Sequence, residues 1–442
     1  MLKKINGVQD TSDTMVLLKD ATFNTPFTSR LEYNPPAKGV WNIVHTGMLI
    51  PNSHQIFVCA RACLRGVVLT AGEMNAMDRM SSILIDENTL INGGMEKLII
   101  DGTIDIMNKL QYTPSVVLLF TSCVHLFMGC NIDYILDVLN DTFKQTTFVD
   151  CYMNPTMRKS GLTPEQLMRR QLYKPLPYVT KSPYSVNLLG NDFSTLPNSE
   201  LITLLTGSHY TVRDITTCKT YQEYLDMAKS TLNIVYYPPA LAGAKALARR
   251  IEQPYIYIPL TYDFEELEQN YSKLSKALQI SKPDYSSLQA LAKSSLDRAY
   301  SIIGDTNVSI DYTATPRPFG LTKLLLQHGF NVTELYLDTI SKEEETVFHW
   351  LKLNYPNIRL YSTVHVKMRF LTRNRTQKVL AIGQKSAYFT GTEYFVNMVL
   401  GSGLYGYMGI CELANLMVDA YINPKSTKDV IVKKGLGCES CI

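Results

Sequence analysis

From Leu84 onward, short continuous apolar runs alternate with stretches whose apolar residues recur every three or four positions. Ser115–Phe120 (SVVLLF) carries no polar residue after its serine, the pattern of a parallel strand buried on both faces. Asn131–Leu139 follows with apolar residues at 132, 135, 136 and 139, which form one face of a helix. Thr146–Val149 (TTFV) is the next strand candidate, and Gln55–Val58 (QIFV) is an earlier one, ahead of a helical stretch at Glu73–Met80. Lys174–Pro183 holds three prolines and reads as a linker.

A second unit opens with Ser185–Leu189 (SVNLL) and continues through Glu200–Leu205 and Leu232–Tyr236. A helix with Leu241, Ala244 and Leu247 on its apolar face and a run at Tyr255–Pro259 complete it. A polar helical stretch, Phe264–Ala299, leads into a third unit with strands at Val308–Tyr312, Asn331–Leu337, Arg359–Tyr361 and Val379–Ile382 and a helix at Gly320–His328. Three strand–helix–strand units in series predict an α/β protein of three Rossmann-like domains with parallel sheets and right-handed crossovers. The expected divisions are 1–180, 181–300 and 301–442, a plausible partition for 442 residues.

Composition narrows the function. Forty-three Lys and Arg against forty Asp and Glu leave a net charge of +3, too balanced for a nucleic-acid-binding surface spread over the chain. The N-terminus is charged with no apolar segment behind it. The longest apolar stretch, Ser115–Ile132, is interrupted by Thr121, His125 and Gly129. Neither pattern suits a secretory signal or a membrane span, so a cytoplasmic protein is expected. Nine cysteines in a reducing compartment are then thiols or metal ligands rather than disulfides.

No GxxxxGK[ST] loop and no GxSxG elbow occurs, which removes support for nucleotide hydrolysis by this chain and for serine-hydrolase chemistry. Gly401–Gly406 (GSGLYG) does match GxGxxG, but the chain after it is too short for a full dinucleotide-binding unit. A backbone-tight loop is the expected role. Cys63, Cys123 and Cys151 each follow a strand candidate. In a parallel sheet such positions share the carboxyl edge, so the three thiols could converge there, with helix N-termini lowering their pKa values. Thiolates at one site suit iron–sulfur clusters or zinc; burial as small apolar residues is the other common fate of free cysteines.

Several segments, in order, match a known pattern. Ile43–Gly47 (IVHTG) is similar to an H-G-P segment ahead of a first cluster cysteine, and Ser81–Leu98 ends in NGGMEKL, similar to F-G-G-x-x-x-L. Thr121-Ser122-Cys123 with Gly129, and Asp150-Cys151, look like the second and third cysteine motifs. Val186–Phe193 and Ser309–Leu321 are similar to the segments opening a second and a third domain. In these residues the chain resembles the nitrogenase component 1 family, the catalytic subunits of nitrogenase and their relatives. The pattern is most similar to the uncharacterised or sulfur-metabolism branch of nitrogenase-like reductases in anaerobes, which includes methylthio-alkane reductases.

The resemblance implies a cleft between three domains and a subunit of a two-component, ATP-driven reductase. An ATP-dependent iron protein would pass electrons to it. Cys63, Cys123 and Cys151 would ligate half of an interface iron–sulfur cluster, four-iron or P-cluster-like with eight irons, with the rest supplied by a homologous chain or a second copy. Cys59 competes with Cys63. A second, larger metallocluster in the cleft is a further option. However, Tyr237 stands where the family's cofactor cysteine would fall, and residues 397–405 hold no histidine where its second ligand would fall. Dinitrogen reduction is therefore not expected; an alternative is a scaffold or maturation protein for a complex metallocluster.

Lesser candidates complete the picture. His125 would be a donor to a cluster sulfide, and Cys130 an extra ligand or a core residue. Arg369, within the basic run Lys367–Arg375, would hold an anionic cofactor or sit on a solvated face. Arg158-Lys159 and Arg169-Arg170 could meet an acidic docking partner, and Cys438-Glu439-Ser440-Cys441 forms a terminal CxxC.

Overall fold

The computed structural model describes residues 10–28, 32, 33, 35, 43–154, 161–190, 192–373 and 377–432. Arg158 and Lys159, Asn374 and Arg375, and the terminal CxxC lie outside the described residues.

A short strand β1 (Met15–Leu17) precedes the first sheet, which is built from β2 (Ser53–Cys59), β3 (Met80–Leu84), β4 (Val116–Ser122) and β5 (Thr147–Met153) in the order β3-β2-β4-β5. The second sheet, β7-β6-β8-β9, uses β6 (Ser185–Leu189), β7 (Thr211–Asp214), β8 (Leu232–Val235) and β9 (Tyr255–Tyr257). The third combines β10 (Asn307–Asp311), β11 (Asn331–Leu337), β12 (Arg359–Ser362), β13 (Val379–Ile382) and β14 (Phe395–Val396) in the order β1-β12-β11-β10-β13-β14. Every ladder is parallel except that of β1 on β12, where an N-terminal segment caps the sheet edge. The α/β class read from the sequence is therefore the one observed, with three mainly parallel sheets.

The continuous apolar runs have a direct cause. Phe57, Cys59, Leu118, Phe120, Val149 and Cys151 face one core, while Ile56, Val58, Val117, Leu119 and Phe148 face another on the opposite side of the same sheet. The first of these cores continues into the second unit through Leu189, Val235, Ala244 and Leu247. The other face of the second sheet, with Val186, Leu188 and Ile234, joins the core of the third unit. Successive sheets thus share cores, so the cleft edges are held by packing rather than by linkers alone. Among the described residues no helix is long and apolar enough to cross a membrane.

Local differences from the sequence reading have physical reasons. Glu200–Gly207 is a helix, opened by the Ser199 side chain accepting the Leu201 N–H. The polar stretch after Phe264 divides into two helices, Phe264–Leu278 and Ser286–Ile303, because Gln279 adopts a left-handed conformation that ends the first. The helix expected at Glu73–Met80 is instead Arg61–Glu73, so Cys63 lies within its first turn.

Gly401–Gly406 is a tight loop leading into the helix Gly406–Ile422, as expected, and the helix N-terminus is already occupied. The buried Glu200 carboxylate accepts the Tyr407 and Met408 backbone N–H groups. A side chain on Gly406 (φ +79°) would collide with that carboxylate. A carboxylate placed there fills the anion site that a phosphate would need.

Candidate functional site

In parallel sheets, sites form beyond the carboxyl ends of strands where the strand order reverses. In the first sheet the reversal lies between β2 and β4, and the segments leaving those strands carry Cys63 and Cys123. In the second it lies between β6 and β8, followed by Gly190, Asp192, Tyr236 and Tyr237.

Cys63 sits in the first turn of Arg61–Glu73 and is exposed; Cys123 opens the short helix Cys123–Phe127 and is partly exposed. The two are close enough to interact electrostatically: burial and then the neighbouring Cys123 push the Cys63 thiol up. Cys59, the last residue of β2, is fully buried, and burial followed by Cys63 pushes it up to about 12. The lowered thiol pKa expected from a helix N-terminus is thus not seen at Cys63, where desolvation and the neighbouring thiol outweigh the dipole of one helical turn.

Cys151 takes a different position from the other two. The strand expected to end at Val149 continues to Met153, which places Cys151 inside β5, paired with Phe120 and fully buried. Burial, and then Asp150, push its thiol well above the ordinary cysteine value. Among the described residues, no set of three or more Cys, His, Asp or Glu converges as a metal site.

The surroundings of Cys63 and Cys123 are apolar yet open to solvent. Phe127 is 72% exposed and Ile91 80%, and Leu84, Leu126 and Met128 are also exposed. Leu84 ends β3 and the others follow β3 or β4, so all flank the same edge. Exposed apolar patches rimmed by polar residues are a common mark of interaction surfaces.

His125 supplies a further feature. It is 3% exposed, and its Nδ1 accepts the Ser122 backbone N–H at 2.9 Å. Its Nε2 has no hydrogen-bond partner among the described residues. Burial holds the ring below the ordinary histidine value, hence neutral. Two neighbouring thiols fit part of the ligand set of a sulfur-bearing metallocluster; the remaining ligands would come from elsewhere.

The second edge is closed. Arg169, fully buried on the helix Pro164–Gln171, lies 2.6 Å from Asp192 and 3.6 Å from Glu165. The Tyr237 hydroxyl donates to Glu165 at 3.0 Å, and the guanidinium lies 5.3 Å from the Tyr237 ring centroid. One cation cannot neutralise two buried carboxylates, and Asp192 is the nearer. Burial therefore dominates at Glu165 and raises its pKa. The Arg169 side of the Arg169-Arg170 pair is thus no docking contact: the buried ion pair has taken it inside. Its i,i+4 spacing from Glu165 was the available signal, whereas Asp192 could be linked to it only by the fold.

The cavity at this edge, lined by Gly190, Asp192, Phe193, Tyr236, Tyr237, Leu400 and Gly403, measures about 10 Å³, the room of roughly one water. It offers neither thiol nor imidazole, so these residues do not fit a large metallocluster. Arg369 is exposed and stacks on its neighbour Phe370 at 4.5 Å, while Lys367 is bound to Asp13. A roomier pocket of about 450 Å³ opens at the opposite, amino edge of the first sheet, beside Asn52, Arg79, Tyr112 and Cys218. Its Arg79 is committed to the Ile50 and Ser53 carbonyls. Volume and chemistry point to different edges, and the thiol pair makes the carboxyl edge the candidate.

Fold and site together define a three-sheet α/β protein with a thiol pair at an open switch point. The family model for nitrogenase component 1 type oxidoreductases matches residues 44–420, and the chain belongs to that family. Two solved structures are similar in fold. Nitrogenase Cp1 at pH 6.5 has a TM-score of 0.68 at 14% identity, covering 90% of this chain and 94% of that one. Nitrogenase Cp1 at pH 5 has a TM-score of 0.59 at 14% identity, with coverages of 93% and 94%. No curated protein matches the chain.

Proposed function

We propose that the chain is a subunit of the catalytic component of a nitrogenase-like two-component reductase. An ATP-dependent iron protein-like partner supplies low-potential electrons. An iron–sulfur cluster at the interface with a homologous chain, or a second copy, receives them. The observation carrying this reading is the Cys63–Cys123 pair on an exposed, apolar-rimmed switch-point edge.

Cys63 and Cys123 hold the cluster from this side. Cys63 is favoured over Cys59 because its thiol is exposed while that of Cys59 is packed in the core. Cys151, the third ligand the resemblance implies, would have to leave the core to reach the same site. When bound, the cluster supplies one-electron transfer at low potential. The chain's own residues hold it, and the covering subunit excludes water from it.

The substrate binds in the cleft between the domains that the family resemblance implies, and it is not dinitrogen. The edge where a cofactor would need a cysteine presents Tyr237, hydrogen-bonded to Glu165.

Iron and acid-labile sulfide are measured on protein purified without oxygen, together with an electron paramagnetic resonance spectrum. The expected result is about two irons per chain for a shared four-iron cluster or about four for an eight-iron one, in an oligomer, lost in Cys63→Ala and Cys123→Ala. Iron-free, folded, anaerobic protein overturns the proposal.

A further inference from the structure

We infer that the pocket at the amino edge of the first sheet is a binding site for a small organic anion, with a carboxylate or phosphate head and an apolar body.

The pocket measures about 450 Å³, within the range of small-molecule sites, and its walls come from two units. Because β3, β2 and β4 are neighbours, the segments entering them gather at one edge. They bring Met48, Leu49 and Pro51 ahead of β2, Asp78 and Arg79 ahead of β3, and Tyr112 ahead of β4. Cys218 and Lys219, which follow β7, close the pocket from the second unit.

Arg79 defines the head group. Its Nε donates to the Ser53 carbonyl at 3.1 Å, and its Nη2 to the Ile50 carbonyl at 2.8 Å and the Ser53 hydroxyl at 2.7 Å. These bonds fix the guanidinium plane and spend three of its five N–H groups. The two on Nη1 have no partner among the described residues, and Nη1 is not enclosed as the guanidinium of Arg169 is. Burial pulls Arg79 below the ordinary arginine value, although it stays charged. A fixed, partly desolvated cation gains more from an oxyanion than a hydrated surface charge does.

The remaining groups set the sign and the shape. Lys219 adds a second cation, and Asp78 offsets one of the two, so the pocket stays net positive. The buried His54 adds no charge, since burial and then Arg79 push it down to about 4. Its ring nitrogens are hydrogen-bonded to the Tyr112 and Ser81 hydroxyls, each at 2.8 Å. Tyr112 is thereby held as a fixed wall, and with Met48, Leu49 and Pro51 it gives an apolar body something to cover. A bare inorganic ion would leave that surface wet.

The test uses intact protein purified without oxygen, titrated calorimetrically with phenyl phosphate and, in parallel, benzoate; the tighter probe identifies the head group. Alkylation of Cys218, read by peptide mass spectrometry, reports on the pocket itself. Burial pushes that thiol up to about 11, so it reacts slowly and adds no charge. The expected result is one site per chain, slower alkylation at Cys218 but not at Cys63, and binding about tenfold tighter than inorganic phosphate. Arg79→Gln should weaken the probe about tenfold. Because Arg79 also holds the turn at Ile50–Ser53, two exposed positions supply variants that fold regardless. Lys219→Gln should weaken binding and Asp78→Asn tighten it, each by about threefold. Absence of binding, an unprotected Cys218, or no change in these two variants overturns the inference. Inorganic phosphate binding as tightly as phenyl phosphate also overturns it, leaving an adventitious ion only.

Discussion

The carboxyl edges of the first and second sheets occupy the same topological position and have opposite character. At the first, the strand ends carry an exposed cysteine, a partly exposed cysteine and five exposed apolar side chains at or just beyond them. At the second, they are followed by Asp192 and Tyr237, drawn into a buried network with Arg169 and Glu165 around a cavity of about 10 Å³. Topology provides a crevice in both cases. The residue types decide whether it stays open for a partner or is filled from within. The first edge is left open by this chain; the second is completed by this chain's own charges.

The largest expected effect falls on the closed edge. Arg169→Leu leaves two carboxylates buried without their cation, and a loss of about 3–5 kcal/mol in denaturant unfolding is expected. An unchanged midpoint would mean that the edge is open and solvated in solution.

Next come the cysteines, which separate surface from core. Cys151→Ala empties a buried position and should cost roughly 1 kcal/mol, whereas Cys63→Ala should stay within about 0.5 kcal/mol while losing iron. The iron content of Cys151→Ala then decides its role. Retained iron leaves it a core residue. Lost iron in a folded variant would show that β5 rearranges to bring the thiol to the cluster.

A smaller effect follows from Glu165. Its folded-state pKa is raised, so the stability it contributes is fully present below the ordinary glutamate value and is lost as pH rises through the shifted value. Glu165→Gln keeps an acceptor for Tyr237 and removes that loss. Its melting temperature relative to the parent should rise as the pH is raised above the ordinary glutamate value. A flat difference would assign the ionised form to the folded state throughout.

Much of the fold was legible because its strands are buried on both faces, so apolar runs such as Ser115–Phe120 announce parallel sheets without alternation. The marginal strands, β1, β7 and β14, were not legible. Each is two to four residues long and is held by its ladder partners rather than by its own pattern. At the site, Cys63, Cys123 and His125 could be named in advance from their place after apolar strands. That Cys151 would face the core was hidden by a strand end misplaced by four residues, since Tyr152 and Met153 read equally well as strand or loop.

The sequence by itself determined the α/β class, the order of the three units and the motif series that marks the family, because these depend on local periodicity and on neighbours along the chain. Only the tertiary structure decided which charges are inside. Asp192 reaches Arg169 across the boundary between two units, and Glu200 caps a helix that begins more than two hundred residues later. No local pattern encodes such pairs. Their partners are chosen when the sheets share cores, and burial then converts ordinary surface residues into a closed edge beside an open one.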